Sequence, residues 1–245
     1  MRDQIPLVCL GSAAALTDGR DWNSLLIDGK ILLELPPTTV PQLHRLGIDF
    51  SQIETIFISH LHADHMFGLP FFLLEYCVRR SRANPLVIVG PRKLEDITYQ
   101  LCSLAWPELR ENGFEPCLPL SFIEISEGDD HKAGDLSFAA VAMNHFGLDA
   151  FGYRFSHKGR TIGYTGDTGE GAQINQLLKD VDVAILELTH PRESDDLGHM
   201  NRPAVERLAP WLTAQGSAIF ATHMSSIPDP IPGVTLCEDG KTYWI

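Results

Sequence analysis

The chain has 245 residues, of which 44% are hydrophobic and 21% are charged, and its formal net charge at pH 7 is −13. This composition predicts a globular protein with a substantial core, and it excludes a disordered chain. The acidic balance argues against a protein that clamps long structured RNA, because such proteins present a basic surface to the phosphates.

We expect a single domain over residues 1–245 and a cytoplasmic protein that does not interact with a membrane. The start Met1-Arg2-Asp3-Gln4 does not resemble a signal peptide, and apolar runs such as residues 71–74 are too short to span a bilayer. The cysteines are odd in number, scattered and without a CxxC pair, which predicts neither a disulfide framework nor a thiolate zinc site. They are Cys9, Cys77, Cys102, Cys117 and Cys237.

In the first half of the chain, short apolar runs rich in β-branched residues alternate with helical patterns. Asp28-Gly29 is a hairpin signal, and Gly47 ends the first helical pattern. We predict strands at residues 5–10, 24–28, 31–35, 54–59 and 86–89, and helices at residues 40–46, 70–79 and 92–104.

The second half repeats the order of strands followed by helices. We predict strands at residues 120–126, 136–143, 150–156, 161–164, 183–188 and 217–221, and helices at residues 174–178 and 203–214. Residues 234–245 read as a hairpin with a type I′ turn at Asp239-Gly240. Two packed sheets with helices on both outer faces would satisfy this order.

Four residues of metal-ligand type directly follow the predicted strand that ends at Ser59. They are His60, His62, Asp64 and His65. Imidazole and carboxylate groups are both good zinc ligands, and the side chains of such a loop can point in several directions. His60 and His62 therefore suit one ion and Asp64 and His65 a second. The alternative is a polar loop whose histidines only cap the strand.

Three further polar residues follow predicted strands later in the chain: His145, Asp167 and His223. A bridging imidazole would have to lose both ring protons, so the carboxylate of Asp167 is the natural bridge between two ions. Each residue also has a structural interpretation, since a lone histidine is often a buried structural residue and Asp167 could cap the next helix.

The ligand run His60-x-His62-x-Asp64-His65, followed by His145, Asp167 and His223, resembles the metallo-β-lactamase fold superfamily in order and separation, over nearly the whole chain. The resemblance implies an α/β fold, a four-layer αβ/βα sandwich of the metallo-β-lactamase type, with the active site at one edge between the sheets. It also implies that His60, His62 and His145 hold one ion, that Asp64, His65 and His223 hold the second, and that Asp167 bridges them.

One position departs from the family pattern. The family usually has an aspartate that supports the metal loop, which corresponds to residues 60–65 here. At that position this chain has Glu34, after the predicted strand Ile31-Leu32-Leu33. Glu34 would have to make that contact with a longer side chain. An ordinary carboxylate at a strand end is the alternative.

Within the superfamily, the chain is similar to the branch that contains ribonuclease Z and the cyclic phosphodiesterase of the carbon–phosphorus lyase pathway. The similarity lies in Glu187-Leu188-Thr189-His190 and in Gly198-His199-Met200-Asn201. It implies that His199 is the general acid and that Glu187 orients it. The alternatives are that His199 caps the helix predicted near Pro203 and that His190 only lines the pocket.

Neither enzyme of that branch matches in every feature. Ribonuclease Z typically has a long basic arm between its third and fourth metal motifs, whereas only residues 146–166 separate His145 from Asp167 here. The cyclic phosphodiesterase has a cysteine-rich structural zinc site near its N-terminus, where this chain has only Cys9. A small or cyclic phosphodiester is therefore the expected substrate class.

The sequence thus predicts a metal-dependent hydrolase with two divalent ions, zinc being favoured and manganese or iron being alternatives. A hydroxide shared by the ions would attack phosphorus while Asp64 orients it and His199 protonates the leaving group. A lactone or thioester hydrolase on the same centre is a second hypothesis. A non-catalytic ligand-binding sensor is a third, and a homodimer is an open alternative to a monomer.

Overall fold

The computed structural model describes residues 4–79, 85–108, 120–126 and 130–245. Within these residues, the strands form two sheets of seven strands each. The first sheet has the order β14-β1-β2-β3-β4-β5-β6, with β3 to β6 parallel and the remaining pairs antiparallel. Its strands are β1 (Pro6–Gly11), β2 (Ser24–Ile27), β3 (Ile31–Leu33), β4 (Thr55–Phe57), β5 (Leu86–Pro91), β6 (Leu120–Ile125) and β14 (Thr242–Trp244).

The second sheet has the order β13-β12-β11-β10-β9-β8-β7, with β10 to β13 parallel and β7 to β10 antiparallel. Its strands are β7 (Asp130–Ala133), β8 (Leu136–Ala142), β9 (Phe151–His157), β10 (Arg160–Tyr164), β11 (Val183–Glu187), β12 (Ala218–Thr222) and β13 (Val234–Leu236).

The helices cover the outer faces of both sheets. They are α1 (Thr39–Arg45), α2 (Ala63–Met66), α3 (Leu69–Arg79), α4 (Leu94–Ala105), α5 (Ala172–Leu178) and α6 (Arg202–Ala214). Leu43 of α1 and Leu73 of α3 pack in an apolar cluster against the first sheet, and Leu177 of α5 and Leu212 of α6 pack against the second. A third cluster fills the space between the sheets. The predicted four-layer αβ/βα sandwich is therefore confirmed.

The strands are apolar at nearly every position because their side chains point alternately to two faces and both faces are buried. In β2, Leu25 and Ile27 face the cluster between the sheets, while Leu26 faces the helices. A strand that is buried on both faces needs apolar residues at both sets of alternate positions. Each fully buried leucine or isoleucine contributes about 1.5–3 kcal/mol of transfer free energy.

Most of the predicted strands and helices are present with small shifts at their ends. The predicted hairpin of the antiparallel strands β2 and β3 is confirmed. Among the described residues, three short elements were not predicted: β7, the 3₁₀ helix Phe50–Gln52, and the helix α2, which lies inside the run of predicted metal ligands. No helix among the described residues is both long and apolar enough to cross a membrane.

The predicted hairpin at residues 234–245 is wrong. Strand β13 pairs with β12 in the second sheet, and β14 pairs with β1 in the first, so the chain crosses between the sheets. The Asp239 carboxylate accepts hydrogen bonds from Ser12 Oγ and Asp21 N, each at 2.7 Å. The Gly240 N–H donates to the Cys9 carbonyl. These long-range bonds replace the local pairing that the turn signal suggested.

Candidate metal centre

The chain after β4 is held at the junction of the two sheets. The backbone N–H of Ser59 donates to both carboxylate oxygens of Glu34, at 3.2 and 3.1 Å. The Ser59 carbonyl accepts from the N–H of Phe151 in the second sheet. His60 follows directly and is fully buried. The first predicted ligand is thus fixed where the carboxyl ends of the parallel strands meet.

The structure brings the predicted ligands together in the two groups that the family resemblance implied. One potential ligand atom from each of His60, His62 and His145 lies within 4.8 Å of the others, and the same is true of Asp64, His65 and His223. The two groups touch, because the ring centroids of His60 and His65 are 4.1 Å apart. All six residues follow the ends of strands β4, β8 and β12.

Asp167 lies between these two groups. Its Oδ2 atom is 3.3 Å from His65 Nε2, 3.4 Å from His223 Nε2 and 3.9 Å from His60 Nε2. Gly166 allows this approach: its φ is +58°, and a Cβ atom there would lie 2.6 Å from the Ser59 side chain. A residue with a side chain at position 166 would therefore displace Asp167 from the cluster.

Several polar atoms of this cluster are buried without a hydrogen-bond partner: Nε2 of His60, His65 and His223, and Oδ1 of Asp167. Leaving a buried polar group unsatisfied costs about 1–3 kcal/mol. A cation would satisfy all of these atoms at once, because each presents a lone pair when the imidazoles are neutral. The residues therefore fit a bound divalent metal.

In three histidines of the cluster, the Nδ1 atom lies close to an oxygen atom of the protein. The Nδ1 of His145 donates to the Gly198 carbonyl at 2.9 Å, and the Nδ1 of His223 lies 2.8 Å from Thr189 Oγ1. The Nδ1 of His60 lies 3.0 Å from Ser59 Oγ. Hydrogen bonds at Nδ1 orient a ring and leave Nε2 as the metal-binding atom.

The carboxylates of the cluster favour a positive charge. Burial alone would lower the pKa of His65, but Asp167 outweighs it and raises this pKa well above its usual value. Burial lowers the pKa of His60 well below its usual value and lowers that of His145, which keeps both rings neutral. Burial alone would raise the pKa of Asp167, but the neighbouring His223 and His65 outweigh it and hold this pKa well below its usual value. Burial also acts to raise the pKa of Asp64, but hydrogen bonds with His223 and His65 outweigh it and lower this pKa.

A network of buried hydrogen bonds joins the predicted general acid, His199, to the candidate metal ligands. One carboxylate oxygen of Glu187 accepts from the Thr168 N–H and from His199 Nδ1, both at 3.0 Å. The other accepts from the N–H and the hydroxyl of Thr189, at 2.9 and 2.8 Å. Since the Thr189 hydroxyl donates to Glu187, its oxygen is left to accept from His223. Glu187 therefore fixes His199 directly and His223 through Thr189.

His199 itself lines a pocket beside the cluster, and its side chain is 14% exposed. Burial lowers its pKa, but the hydrogen bond and negative charge of Glu187 outweigh burial and raise the pKa to about 9. Because Nδ1 is engaged by Glu187, Nε2 is the ring nitrogen that remains for a ligand in the pocket.

The capping alternatives for His199 and Asp167 are wrong. The side chain of Asn201, not His199, caps helix α6 by accepting from the Ala204 N–H at 3.0 Å. Helix α5 has Gly171 at its N-cap, four residues beyond Asp167.

Glu34 reaches the metal loop, as the departure from the family pattern required. Besides accepting from Ser59, its carboxylate lies 3.4 Å from His65 Nδ1 and accepts from the Tyr164 hydroxyl at 2.9 Å. Its φ is +61°, which a residue with a side chain rarely adopts. His190 lies outside both ligand groups and contacts Asp196 at 2.9 Å.

Sequence reasoning missed the residues that act through the backbone or through small hydroxyls. The Gly198 carbonyl orients His145, and the Ser59 hydroxyl faces His60. Thr189 lies in one of the recognised motifs, but nothing in the sequence marks its hydroxyl as the group that joins Glu187 to His223. A small polar residue directly beside a predicted ligand is the signal that could have found Ser59, but no local signal marks a backbone carbonyl.

Comparisons with known proteins identify the family of this chain. The profile of the Beta-lactamase superfamily domain matches residues 25–224. Ribonuclease BN of Enterobacter sp. (strain 638) is 32% identical over 156 residues, which cover 60% of this chain and 48% of that protein. Ribonuclease Z of Macrococcus caseolyticus is 28% identical over 155 residues, which cover 60% and 48%. The chain thus spans about half the length of the curated relatives it matches.

Solved structures show the same fold over nearly all of this chain. The short form of human tRNase Z aligns with a TM-score of 0.74 and 23% identity, covering 97% of this chain and 98% of that one. A diphosphatase from the PhnP family aligns with a TM-score of 0.74 and 19% identity, covering 98% and 97%. Together with the profile match and the ligand groups, these similarities show that the chain belongs to the beta-lactamase superfamily.

Proposed function

We propose that this chain is a metal-dependent phosphodiesterase that acts on a small or cyclic phosphodiester. The observation that carries the proposal is the position of His199, whose Nδ1 is 3.0 Å from Glu187 Oε1 and 3.8 Å from Asp167 Oδ2. These distances support a role for His199 as a proton donor beside the candidate metal centre. Relatives named ribonuclease Z and ribonuclease BN support the choice of phosphodiester chemistry.

His60, His62 and His145 would hold one divalent ion, and Asp64, His65 and His223 a second, with Asp167 shared between them. When bound, two such ions supply a nucleophilic water of lowered pKa and draw negative charge away from the phosphate. Histidine and carboxylate ligands favour zinc, and the same set accepts manganese or iron.

The remaining steps belong to the protein's own side chains. Asp64, which is 13% exposed, is placed to accept a hydrogen bond from the attacking water and to direct its lone pair towards phosphorus. His199, protonated at Nε2, donates that proton to the leaving alkoxide. Glu187 holds the ring in the required orientation by accepting from Nδ1 and stabilises the imidazolium before it donates. Glu187 is thus a positioning residue.

A small substrate suits this chain better than a long structured RNA. Residues 146–166, between His145 and Asp167, contain only the hairpin of β9 and β10 with its short connections. The net charge of −13 would also repel an extended phosphate backbone. The similarity in fold to a diphosphatase from the PhnP family supports a small substrate.

The two ligand groups predict close to two bound ions per chain after reconstitution with zinc or manganese. Elemental analysis of the gel-filtered protein measures this ratio. His190→Ala is a matched control, because His190 contacts Asp196 and lies outside both groups, and it should keep both ions. A ratio of one ion or none in the unsubstituted protein would contradict the binuclear centre.

The reaction class can be tested with a substrate panel. The reconstituted protein should hydrolyse bis-p-nitrophenyl phosphate much faster than lactones or thioesters, because attack on a carbonyl carbon needs a dedicated oxyanion donor. Metal-stripped protein is the control and should be inactive. Preferential turnover of a lactone or thioester would favour the other hydrolase, and no turnover of any substrate would favour a ligand-binding sensor.

A further inference from the structure

An exposed phenylalanine stands beside two histidines of the site. Phe146 is 63% exposed, and its ring centroid lies 4.7 Å from that of His145 and 5.5 Å from that of His199. Its backbone φ is +46°, in the left-handed region that residues with a side chain rarely adopt. The apolar ring is therefore exposed to solvent, and the residue that carries it adopts an unfavourable backbone conformation. Such outliers cluster at ligand-binding positions.

Gly198 provides the space for this ring. A Cβ atom on Gly198 would lie 2.5 Å from Cε1 and from Cζ of Phe146, so a larger residue would push the ring away. Gly198 also supplies the carbonyl that orients His145, and it directly precedes His199. One short segment therefore sets the position of the ring relative to both histidines.

The ring and His199 line the same pocket, which has a volume of about 660 Å³ and lies within the size range of small-molecule sites. Leu197, which is 87% exposed, adds apolar surface to this pocket. Its acidic lining residues are already paired, Glu170 with Arg207 and Asp196 with His190. No lysine or arginine is among the described residues that line it. The lining therefore favours an uncharged ring over a second phosphate.

We infer that Phe146 is a stacking subsite for a planar ring, such as a nucleobase, carried by the leaving group of the substrate. The assignment to the leaving-group side rests on the proposed function, because His199 would protonate that group. Stacking of a base on an aromatic side chain is sequence-tolerant and strengthens binding substantially. Phe146 would then decide which small phosphodiesters bind well.

The test compares two ligands that differ only in the ring, adenosine 5′-monophosphate and ribose 5-phosphate. Isothermal titration calorimetry of the metal-loaded protein should show that the nucleotide binds about tenfold more tightly than ribose 5-phosphate. Phe146→Leu keeps an apolar cover over the histidines but removes the planar face, so the two Kd values should become nearly equal. Phe146→Tyr should retain the preference.

Leu148→Ala is the matched control, because Leu148 is an exposed apolar residue of the same loop that lines a different pocket. It should retain the tenfold preference. Equal affinities in the unsubstituted protein, or a preference that survives Phe146→Leu, would overturn the subsite, and so would a failure of the nucleotide to bind. A Phe146-dependent preference in a protein that hydrolyses no phosphodiester would support the subsite and refute only the proposed reaction.

Discussion

Replacing His199 with alanine should lower kcat by about 10²–10⁴-fold on phosphodiesters whose leaving group is a poor alkoxide. The reason is that His199, held by Glu187 at 3.0 Å, would supply the proton that such a leaving group needs. On p-nitrophenyl esters the loss should be much smaller, because p-nitrophenolate departs without a proton. Steady-state kinetics on the two substrate types measures the difference.

Measuring the metal content distinguishes loss of the general acid from loss of the bound metal. His199→Ala should keep both ions, because His199 is not one of the seven predicted ligands, although one of its ring nitrogens also lies within 4.8 Å of potential ligand atoms of His145 and Asp167. His190→Ala, a substitution nearby in the chain, should leave the dependence on leaving group unchanged. Equal losses on both substrate types with intact metal content would exclude His199 as the general acid. A purely structural role would instead lower stability, by about 1 kcal/mol for a typical lost hydrogen bond.

Replacing Asp167 with alanine should remove most of the bound metal and reduce turnover to that of the metal-stripped protein. The Oδ2 atom of Asp167 lies within 3.9 Å of Nε2 of His60, His65 and His223, so its charge is shared by both ligand groups. Without it, two divalent ions at short range would repel each other with no intervening negative charge.

Elemental analysis and activity, measured on the same preparation, check this prediction. Asp167→Asn is the matched variant, because it keeps the size of the side chain and removes only the charge. We expect it to lose metal nearly as severely, while its circular dichroism spectrum shows that the fold is kept. An Asp167→Ala protein that retains both ions would show that another group bridges them.

The candidate ligand residues could be picked out because each is a local feature of the sequence. His60, His145, Asp167 and His223 each follow the end of an apolar strand within a few residues. These residues follow strands of both sheets, β4 in the first and β8, β10 and β12 in the second, so the expectation that they converge came from the family resemblance and not from the strand pattern alone. The four-layer arrangement agrees with a local feature as well, since strands that are apolar at successive positions need cover on both faces.

Other features depend on contacts between residues that are far apart in the sequence. Glu34 supports the metal loop only because β3 and β4 are neighbours, and Thr189 joins Glu187 to His223 only because β11 lies beside β12. Nothing local marks the Gly198 carbonyl as the partner of His145, or Phe146 as a ring held beside His199.

The C-terminal strands show the difference most clearly. The sequence by itself determined where the turn at Asp239-Gly240 falls, but the tertiary structure decided that the flanking strands enter different sheets. Hydrogen bonds from Ser12 and Asp21 to Asp239, and from Gly240 to Cys9, outweigh the local preference for a hairpin. The physical reason is that a turn signal reflects the conformational preference of a few residues, whereas strand pairing depends on which partners the whole fold brings within reach.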